Sequence, residues 1–482
     1  MLNSLIRKSV NSYKSLSAPV KASLWFFVCS IIIKCFSMIS TPIFTRMLTV
    51  EEYGKTANFY SWYDLLYPFV TLYISGVAYN NVLIKYEDDR NRATFSLMTL
   101  ASLIVLCFFF IYLIARSFWN SMFDITTPMM CVMFLNLLSY PIVDFWSSKE
   151  RFDYKYRKLV FISFFSTILG LIIGVLGVVY TKYRYEFRVS SPIIITSIIA
   201  VFLYFWTLKQ AHYKITSKYW KYALMISIPL LPHYLSIKVL NQVDRVMITK
   251  LVGLTETGLY NLACTVANLM LIATDAINRS MCPYVYKSIK ENNITPVRRM
   301  TSSILFVVMT VSFLEMLIAP ELIKIFATDE YLGAIYVIPP VAMSIYFVFL
   351  YVVFANVEFY FEKTIFATIV SVVAAFANIV LNFIFIKKYG YYAAGYTTLI
   401  CYIIFAFLHF WNYKRIIKKN PELVGIFDIK TILYISCFGL LLMALCLLLY
   451  DYTIVRYSII GVIVLVSIIY RKLLLGIIKN NS

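Results

Sequence analysis

Two lysines, Lys34 and Lys238, lie inside strongly apolar stretches that are long enough to cross a bilayer. A charged side chain at the centre of a membrane helix costs about 2.5–3.5 kcal/mol on insertion scales, so such a residue marks a functional site by default. A lysine in this setting can bind an anionic group such as a phosphate. The competing interpretation is an internal ion pair that fixes helix packing, for example Lys34 with Asp64 or Lys238 with Asp275.

The two lysines occupy matching positions in two related segments. At an ungapped offset of 204 residues, Lys34 aligns with Lys238, and the further matches are Thr45 with Thr249, Arg46 with Lys250, Glu52 with Glu256 and Gly54 with Gly258. In both segments a long apolar helix is predicted to end in a basic residue, followed by a short polar turn and a second helix. A parallel repeat predicts two lobes, and transporters built from repeats hold their substrate at the interface between them.

The eighth predicted apolar span carries a polar stripe. Asn261, Thr265, Asn268, Asp275 and Arg279 are spaced so that they fall within a narrow arc of one helical face. Such a stripe in a membrane helix is expected to face a water-filled cavity or a partner helix.

The candidate site residues form two groups. The cations expected to bind an anionic ligand are Lys34, Lys238, Arg279, Arg245 and Arg46. A local pair with Asp244 is an equally good explanation for Arg245, and Arg46 lies near the membrane interface, where its side chain can reach water. The residues expected to line the cavity or to couple an ion are Asp64, Asp244, Asp275, Asn241, Asn261, Asn268 and Glu315.

The composition predicts an all-α integral membrane protein. Of the 482 residues, 61% are hydrophobic and 14% are charged, which is more apolar surface than a soluble domain can bury. Hydropathy predicts about fourteen membrane helices, at 22–46, 58–84, 93–115, 126–147, 157–180, 189–208, 222–248, 256–282, 300–319, 333–357, 364–386, 391–412, 429–449 and 454–474.

The net charge of +20 is explained by topology rather than by nucleic acid. Basic residues concentrate at the termini and in the even-numbered connections, including 149–158, 209–221, 287–299 and 414–419. This positive-inside bias predicts that both termini are cytoplasmic. We therefore expect no nucleic-acid partner.

Enzyme chemistry finds little support in the sequence. The nine cysteines form no Cys-x-x-Cys pair, and the three histidines show no zinc-ligand spacing. A Gly-rich phosphate loop and a nucleophile elbow are also missing from the sequence. A membrane glycan polymerase would need a large extracytoplasmic loop, whereas the predicted odd-numbered loops are short.

Several segments follow one another along the chain in a characteristic order. The first is the run from Thr41 to Arg46 followed by Leu48-Thr49-x-Glu51-Glu52-Tyr53-Gly54, and the later ones include Leu240-Asn241-x-x-Asp244-Arg245, Gly258-Leu259-Tyr260, Pro283-x-x-Tyr286 and Pro339-Pro340. In this order they resemble bacterial polysaccharide flippases of the O-antigen and capsule type. These flippases belong to the multidrug/oligosaccharidyl-lipid/polysaccharide exporter (MOP) superfamily, which also holds multidrug exporters and the flippase of the peptidoglycan precursor.

The resemblance implies two six-helix lobes that form a V around a central cavity. With the repeat, it predicts lobes at 1–213 and 214–418 and an extra helix pair at 419–482. Its members are thought to move undecaprenyl-pyrophosphate-linked oligosaccharide units from the inner to the outer leaflet of the bacterial cytoplasmic membrane by alternating access. It implies no cofactor beyond coupling to Na⁺ or H⁺.

The implied partners are the lipid-linked oligosaccharide, membrane lipids, a glycan polymerase and chain-length machinery. The alternative function in the same superfamily is a multidrug or organic-cation antiporter, whose cavity should be dominated by carboxylates instead of lysine and arginine.

Overall fold

The computed structural model describes residues 17–469, and all regular secondary structure within them is helical. Twelve helices of this part are long and apolar enough to cross a membrane. The predicted all-α membrane fold is therefore confirmed, but the count of about fourteen spans is not. Of the last predicted span, the structure describes only a helix at Thr453–Ile469.

The chain forms two compact units, with a boundary between Leu235 and Ser236 that lies inside one long helix. The helices of unit 1 are α1 (Ala18–Met47), α2 (Val50–Thr71), α3 (Ile74–Val77), α4 (Tyr79–Lys85), α5 (Arg90–Ile114), α6 (Arg116–Phe123), α7 (Thr127–Phe152), α8 (Tyr156–Tyr180) and α9 (Arg184–Gln210). Helix α10 (Ser217–Leu251) begins in unit 1 and ends in unit 2.

The remaining helices belong to unit 2. They are α11 (Leu254–Ala267), α12 (Leu269–Lys290), α13 (Ile294–Leu317), α14 (Ala319–Phe326), α15 (Ile338–Tyr360), α16 (Thr364–Tyr389), α17 (Tyr392–Lys419), α18 (Ile429–Leu449) and α19 (Thr453–Ile469). Helix α15 is the most deeply buried span of the unit and packs against α17.

The helix ends repeat at the same offset as the sequence. Helix α1 ends at Met47 and α10 at Leu251, while α2 begins at Val50 and α11 at Leu254, so both boundaries differ by 204 residues. The duplicated segments therefore share their local structure.

The two turns of the repeat use different chemistry. In the first, Thr49 and Glu52 form a reciprocal capping box that satisfies backbone N–H groups at the start of α2. In the second, Gly253 takes a φ of +156° and a ψ of 172°. That backbone conformation is essentially restricted to glycine.

The second predicted span is not one helix. Helix α2 stops at Thr71, and Leu72 and Tyr73 adopt left-handed φ values of 50° and 45° before α3 and α4 follow. The hydroxyl of Thr71 donates to the carbonyl of Tyr67 and accepts from the backbone N–H of Tyr73. Hydropathy predicts the length of an apolar segment, but it does not predict a local turn of the backbone within it.

Helix α19 is anchored to the rest of unit 2 by one buried cation. Arg456 of α19 donates to both carboxylate oxygens of Glu321 at 2.9 Å and to the carbonyl of Leu317 at 2.7 Å. Helix α18 packs on α13, where Gly439 leaves room for the side chain of Met309.

Candidate functional site

Unit 2 contains a cavity of about 480 Å³ between α10, α11, α12, α15 and α17. Its polar and ionisable lining residues include Lys238, Asn241, Gln242, Asp244, Arg245, Tyr260, Asn268, Ser344, Tyr351, Thr398 and Tyr402. Four of the predicted site residues on α10 therefore lie together at one cavity, namely Lys238, Asn241, Asp244 and Arg245. The half-buried Lys238 contributes a cation to its wall.

The carboxylate of Asp244 is held by three hydrogen-bond donors. Its Oδ2 accepts from the hydroxyls of Tyr260 and Thr398, each at 2.7 Å, and its Oδ1 accepts from the Asn382 amide at 2.6 Å. Asp244 is only 3% exposed. Hydrogen bonds to a buried carboxylate offset much of the cost of removing its charge from water.

The network around Asp244 extends into α16 and α17. Asn382 accepts from the hydroxyl of Thr397 and donates to Oδ1 of Asn378 at 3.2 Å. Sequence reasoning missed Asn378, Asn382, Thr397 and Thr398. One signal was available, because two asparagines spaced four residues apart in an apolar span share a helical face.

Arg245 is fixed on the same cavity wall. Its Nε donates to Oδ1 of Asn261 and its Nη1 to the carbonyl of Asn241, both at 2.8 Å. The hydroxyl of Tyr402 donates to Oδ1 of Asn241 at 3.0 Å. The guanidinium is therefore positioned before any ligand arrives.

The polar stripe of the eighth predicted span is divided by the end of α11. Asn261 lies on α11 beside Arg245, and the exposed Asn268 lies between α11 and α12 and lines the cavity. Asp275 and Arg279 are exposed further along α12 and are not among the residues that line it. Glu315 is buried on α13, and its Oε2 has no hydrogen-bond partner among the described residues.

Three predicted site residues belong to unit 1. Lys34 is exposed on α1, and Arg46 is exposed at the end of α1, where its Nη1 donates to the carbonyl of Pro42 at 3.0 Å. Asp64 is half-buried on α2.

A tyrosine cluster, missed by sequence reasoning, surrounds the break after α2. The ring of Tyr67 lies 5.7 Å from Tyr63, 5.9 Å from Tyr73 and 5.5 Å from Tyr140. Tyr73 in turn contacts Tyr234, with ring centroids 5.1 Å apart. These tyrosines are scattered over 63–234 in the sequence, so no spacing pattern could group them.

Sequence reasoning also missed the cation Arg188. Its guanidinium lies 4.1 Å from the ring centroid of Phe44, and its buried Nε has no hydrogen-bond partner among the described residues. It borders a cleft of about 240 Å³ between α1, α8 and α9. The sixth span was predicted to begin at 189, one residue after Arg188, whereas α9 begins at Arg184 and includes it.

The basic run at 149–158 does not form a bare cationic surface. It borders a cavity of about 780 Å³ in unit 1 together with Glu87, Asp89 and Arg90. Arg90 contacts Asp153 at 3.4 Å, and Lys155 contacts the same carboxylate at 3.1 Å. Acidic neighbours neutralise part of this run, so it is a weak candidate for binding an anionic substrate.

The sequence of residues 20–289 matches the family described as polysaccharide biosynthesis protein. That match covers more than half of the chain, including the whole of α2 to α11. The chain belongs to this family. The chain is also similar to a curated protein, "Lsg locus putative protein 1" of Haemophilus influenzae. The two are 23% identical over 355 residues, which are 71% of this chain and 85% of the relative.

Solved structures of MOP-type transporters share the fold. The inward closed form of the lipid II flippase MurJ has a TM-score of 0.65 at 17% identity and covers 93% of this chain and 99% of its own. An inward-facing multidrug transporter of the superfamily has a TM-score of 0.62 at 12% identity, covering 84% of this chain and 99% of its own. A third, from Pyrococcus furiosus, has a TM-score of 0.56 at 11% identity, covering 83% and 95%.

The family match gives the family of this chain, and the solved structures show that the chain has the fold of MOP-type transporters. The protein is a multi-pass membrane protein. The family match confirms the predicted family, and the likeness to these transporters confirms the predicted fold class.

Proposed function

We propose that this protein moves undecaprenyl-pyrophosphate-linked oligosaccharide units from the inner to the outer leaflet of the bacterial cytoplasmic membrane. The observation that carries the proposal is the charge of the unit 2 cavity. Among its lining residues, Lys238 and Arg245 are cationic and only Asp244 is anionic. The cavity is thus formally positive.

The single acid does little to make the cavity attractive to cations. Asp244 is buried and already accepts three hydrogen bonds from neighbouring side chains. In a low-dielectric wall the two cations attract an anion more strongly than they would in water. A pyrophosphate head group fits this field, and an organic cation would meet repulsion.

The two cations have complementary properties. Arg245 is pre-positioned by Asn261 and by the carbonyl of Asn241. Lys238 carries its charge on a flexible stem, which can follow a phosphate as the cavity changes shape. We infer that Arg245 sets the position of the head group and that Lys238 moves with it, while the lipid tail stays in the bilayer.

The wider proposal follows the sequence predictions. In it, both termini are cytoplasmic. Further cations of the transport path are Lys34, Arg46 and Arg279. A glycan polymerase and chain-length machinery receive the product. For coupling to Na⁺ or H⁺, the acids expected from the sequence are Asp64, Asp244, Asp275 and Glu315.

A second candidate is export of organic cations, and the unit 1 tyrosine cluster favours it. The ring centroids of Tyr63 and Tyr73 lie 5.7 and 5.9 Å from that of Tyr67, and Asp64 follows Tyr63 in the same helix. Aromatic faces together with a carboxylate attract cationic ligands.

Reconstitution separates the two candidates. The purified protein is placed in liposomes, and transport of a fluorescent undecaprenyl-pyrophosphate oligosaccharide is compared with transport of ethidium. We expect movement of the lipid-linked sugar and none of ethidium. Transport of ethidium alone would overturn the flippase proposal.

A further inference from the structure

Unit 2 contains a buried acid–histidine pair outside the residues discussed so far. Nδ1 of His409 on α17 lies 3.0 and 3.1 Å from the two carboxylate oxygens of Glu358 on α15. The side chain of His409 is 2% exposed and that of Glu358 is 0% exposed. Ionisable groups buried this deeply in a membrane protein are rare and mark functional sites.

The other ring nitrogen of His409 is unusual. Its Nε2 is buried and has no hydrogen-bond partner among the described residues. The ring packs against Tyr351, at 5.3 Å in a stacked arrangement, and against Phe405, at 4.8 Å edge-on. Both aromatic residues line the unit 2 cavity, so the imidazole packs directly against the cavity lining.

The proton content of the pair decides its net charge. With a neutral imidazole and an ionised Glu358 the buried pair carries one negative charge, and with one more proton it is neutral overall. An uncompensated buried charge is costly. A closed, dry site therefore favours the neutral pair, which holds the additional proton. Water that reaches Nε2 makes release of this proton less costly.

Several titratable groups lie on the elements packed against α15 and α17. They include Asp244 and Arg245 of α10, Asp275 and Tyr286 of α12, Arg298 and Glu315 of α13, Tyr351 of α15, Tyr402 and Tyr413 of α17, and Asp428 before α18. Arg298 lies 3.8 Å from Asp428. Among the described residues, the only ion pair that Glu358 or His409 makes is with the other.

We propose that Glu358 and His409 form a proton-binding site that couples H⁺ to transport. The site holds one additional proton while the cavity is closed, and it releases this proton when rearrangement of Tyr351 and Phe405 admits water to Nε2. The coupling role rests on the proposed function, whereas proton binding itself does not.

Nuclear magnetic resonance tests proton binding directly, because the chain has only three histidines. The ¹⁵N-histidine-labelled protein in nanodiscs is titrated from pH 5 to 9, and His409→Gln assigns the signals of His409. We expect these signals to titrate, and we expect Glu358→Gln to lower the midpoint by at least one pH unit, a tenfold loss of proton affinity. His212→Gln serves as the control variant, and unchanged His233 signals show that Glu358→Gln is folded.

Two results would overturn the proposal. One is that the ¹⁵N chemical shifts of His409 do not change between pH 5 and 9, and the other is that Glu358→Gln leaves the midpoint of their titration unchanged. Coupling is measured separately in liposomes with a pH gradient. The gradient should drive the lipid-linked oligosaccharide in the wild type and not in Glu358→Gln. A titrating His409 without any transport would contradict the proposed function alone, and transport indifferent to the gradient would contradict the coupling.

Discussion

Asp244 of α10 accepts a 2.7 Å hydrogen bond from the hydroxyl of Thr398 of α17, 154 residues further along the chain. This contact links the repeated helix to the C-terminal part of unit 2. It makes the wall of the cationic cavity a continuous polar network instead of a set of separate charges.

Thr398→Val is expected to destabilise the protein by about 1.5–3 kcal/mol, because it removes a donor from a buried carboxylate while keeping the side-chain shape. Thermal unfolding in detergent measures the change. The matched control is Ser302→Ala, since Ser302 is half-buried and its exposed hydrogen bond lies within its own helix. In a double mutant with Asp244→Asn the two losses should not add; full additivity would show that the bond is energetically irrelevant.

Gly253→Ala is expected to cost about 1–3 kcal/mol, because the +156° φ at the start of α11 is closed to residues with a Cβ. The control is Gly461→Ala in α19, where a Cβ meets open space. That change should be neutral or slightly stabilising, since alanine favours a helix. Equal melting temperatures for both variants would contradict the assigned backbone geometry.

The anchor of α19 should depend on pH. Burial raises the pKa of Glu321, but hydrogen bonds from Arg456 and Tyr457 outweigh it and leave the pKa below its ordinary value near 4.5. Because the pKa is lower in the folded state, the contact stabilises the fold at pH values above the ordinary pKa. This stabilisation is lost as the pH falls through the folded-state pKa.

Melting temperatures between pH 3 and 7 therefore should fall on acidification more steeply in the wild type than in Glu321→Gln. The exposed Glu291, which lies 3.9 Å from Lys287, provides the control through Glu291→Gln. Parallel curves for the wild type and Glu321→Gln would show that the anchor does not contribute to this pH dependence.

Thiol labelling should distinguish neighbouring polar residues in unit 2. In a background without the native cysteines, Asn268→Cys is expected to react with a water-soluble maleimide because Asn268 is exposed and lines the cavity. Asn261→Cys should react at least tenfold more slowly, since that position packs against Arg245. Equal rates would mean that water reaches both positions along one open face.

Much of the helical framework follows from hydropathy, because the bilayer imposes a length on each apolar span. The predicted span at 429–449 coincides with α18, and the one at 22–46 lies within α1. The repeat was visible through a few identities around Lys34 and Lys238, and the matching helix ends support it. These features depend on local sequence, so one chain suffices to predict them.

The site was harder to predict because its partners are distant in sequence. Asp244, Asn241 and Arg245 were recognised as polar residues in an apolar helix. The Asp244 network is completed by Asn382 and Thr398, which lie on α16 and α17. Nothing in the sequence links these two residues to α10, because only folding brings the three helices together. The same limit hid the pair of Glu358 and His409, which are 51 residues apart.

The central claim is that Lys238 binds the pyrophosphate head group during transport. The most direct measurement compares flipping of a lipid-linked oligosaccharide by the wild type, Lys238→Ala, Lys238→Arg and the surface control Lys287→Ala in liposomes. We predict at least a tenfold loss for Lys238→Ala, substantial activity for Lys238→Arg, and wild-type rates for the control. Wild-type flipping by Lys238→Ala, with normal incorporation into the liposomes, would contradict the account.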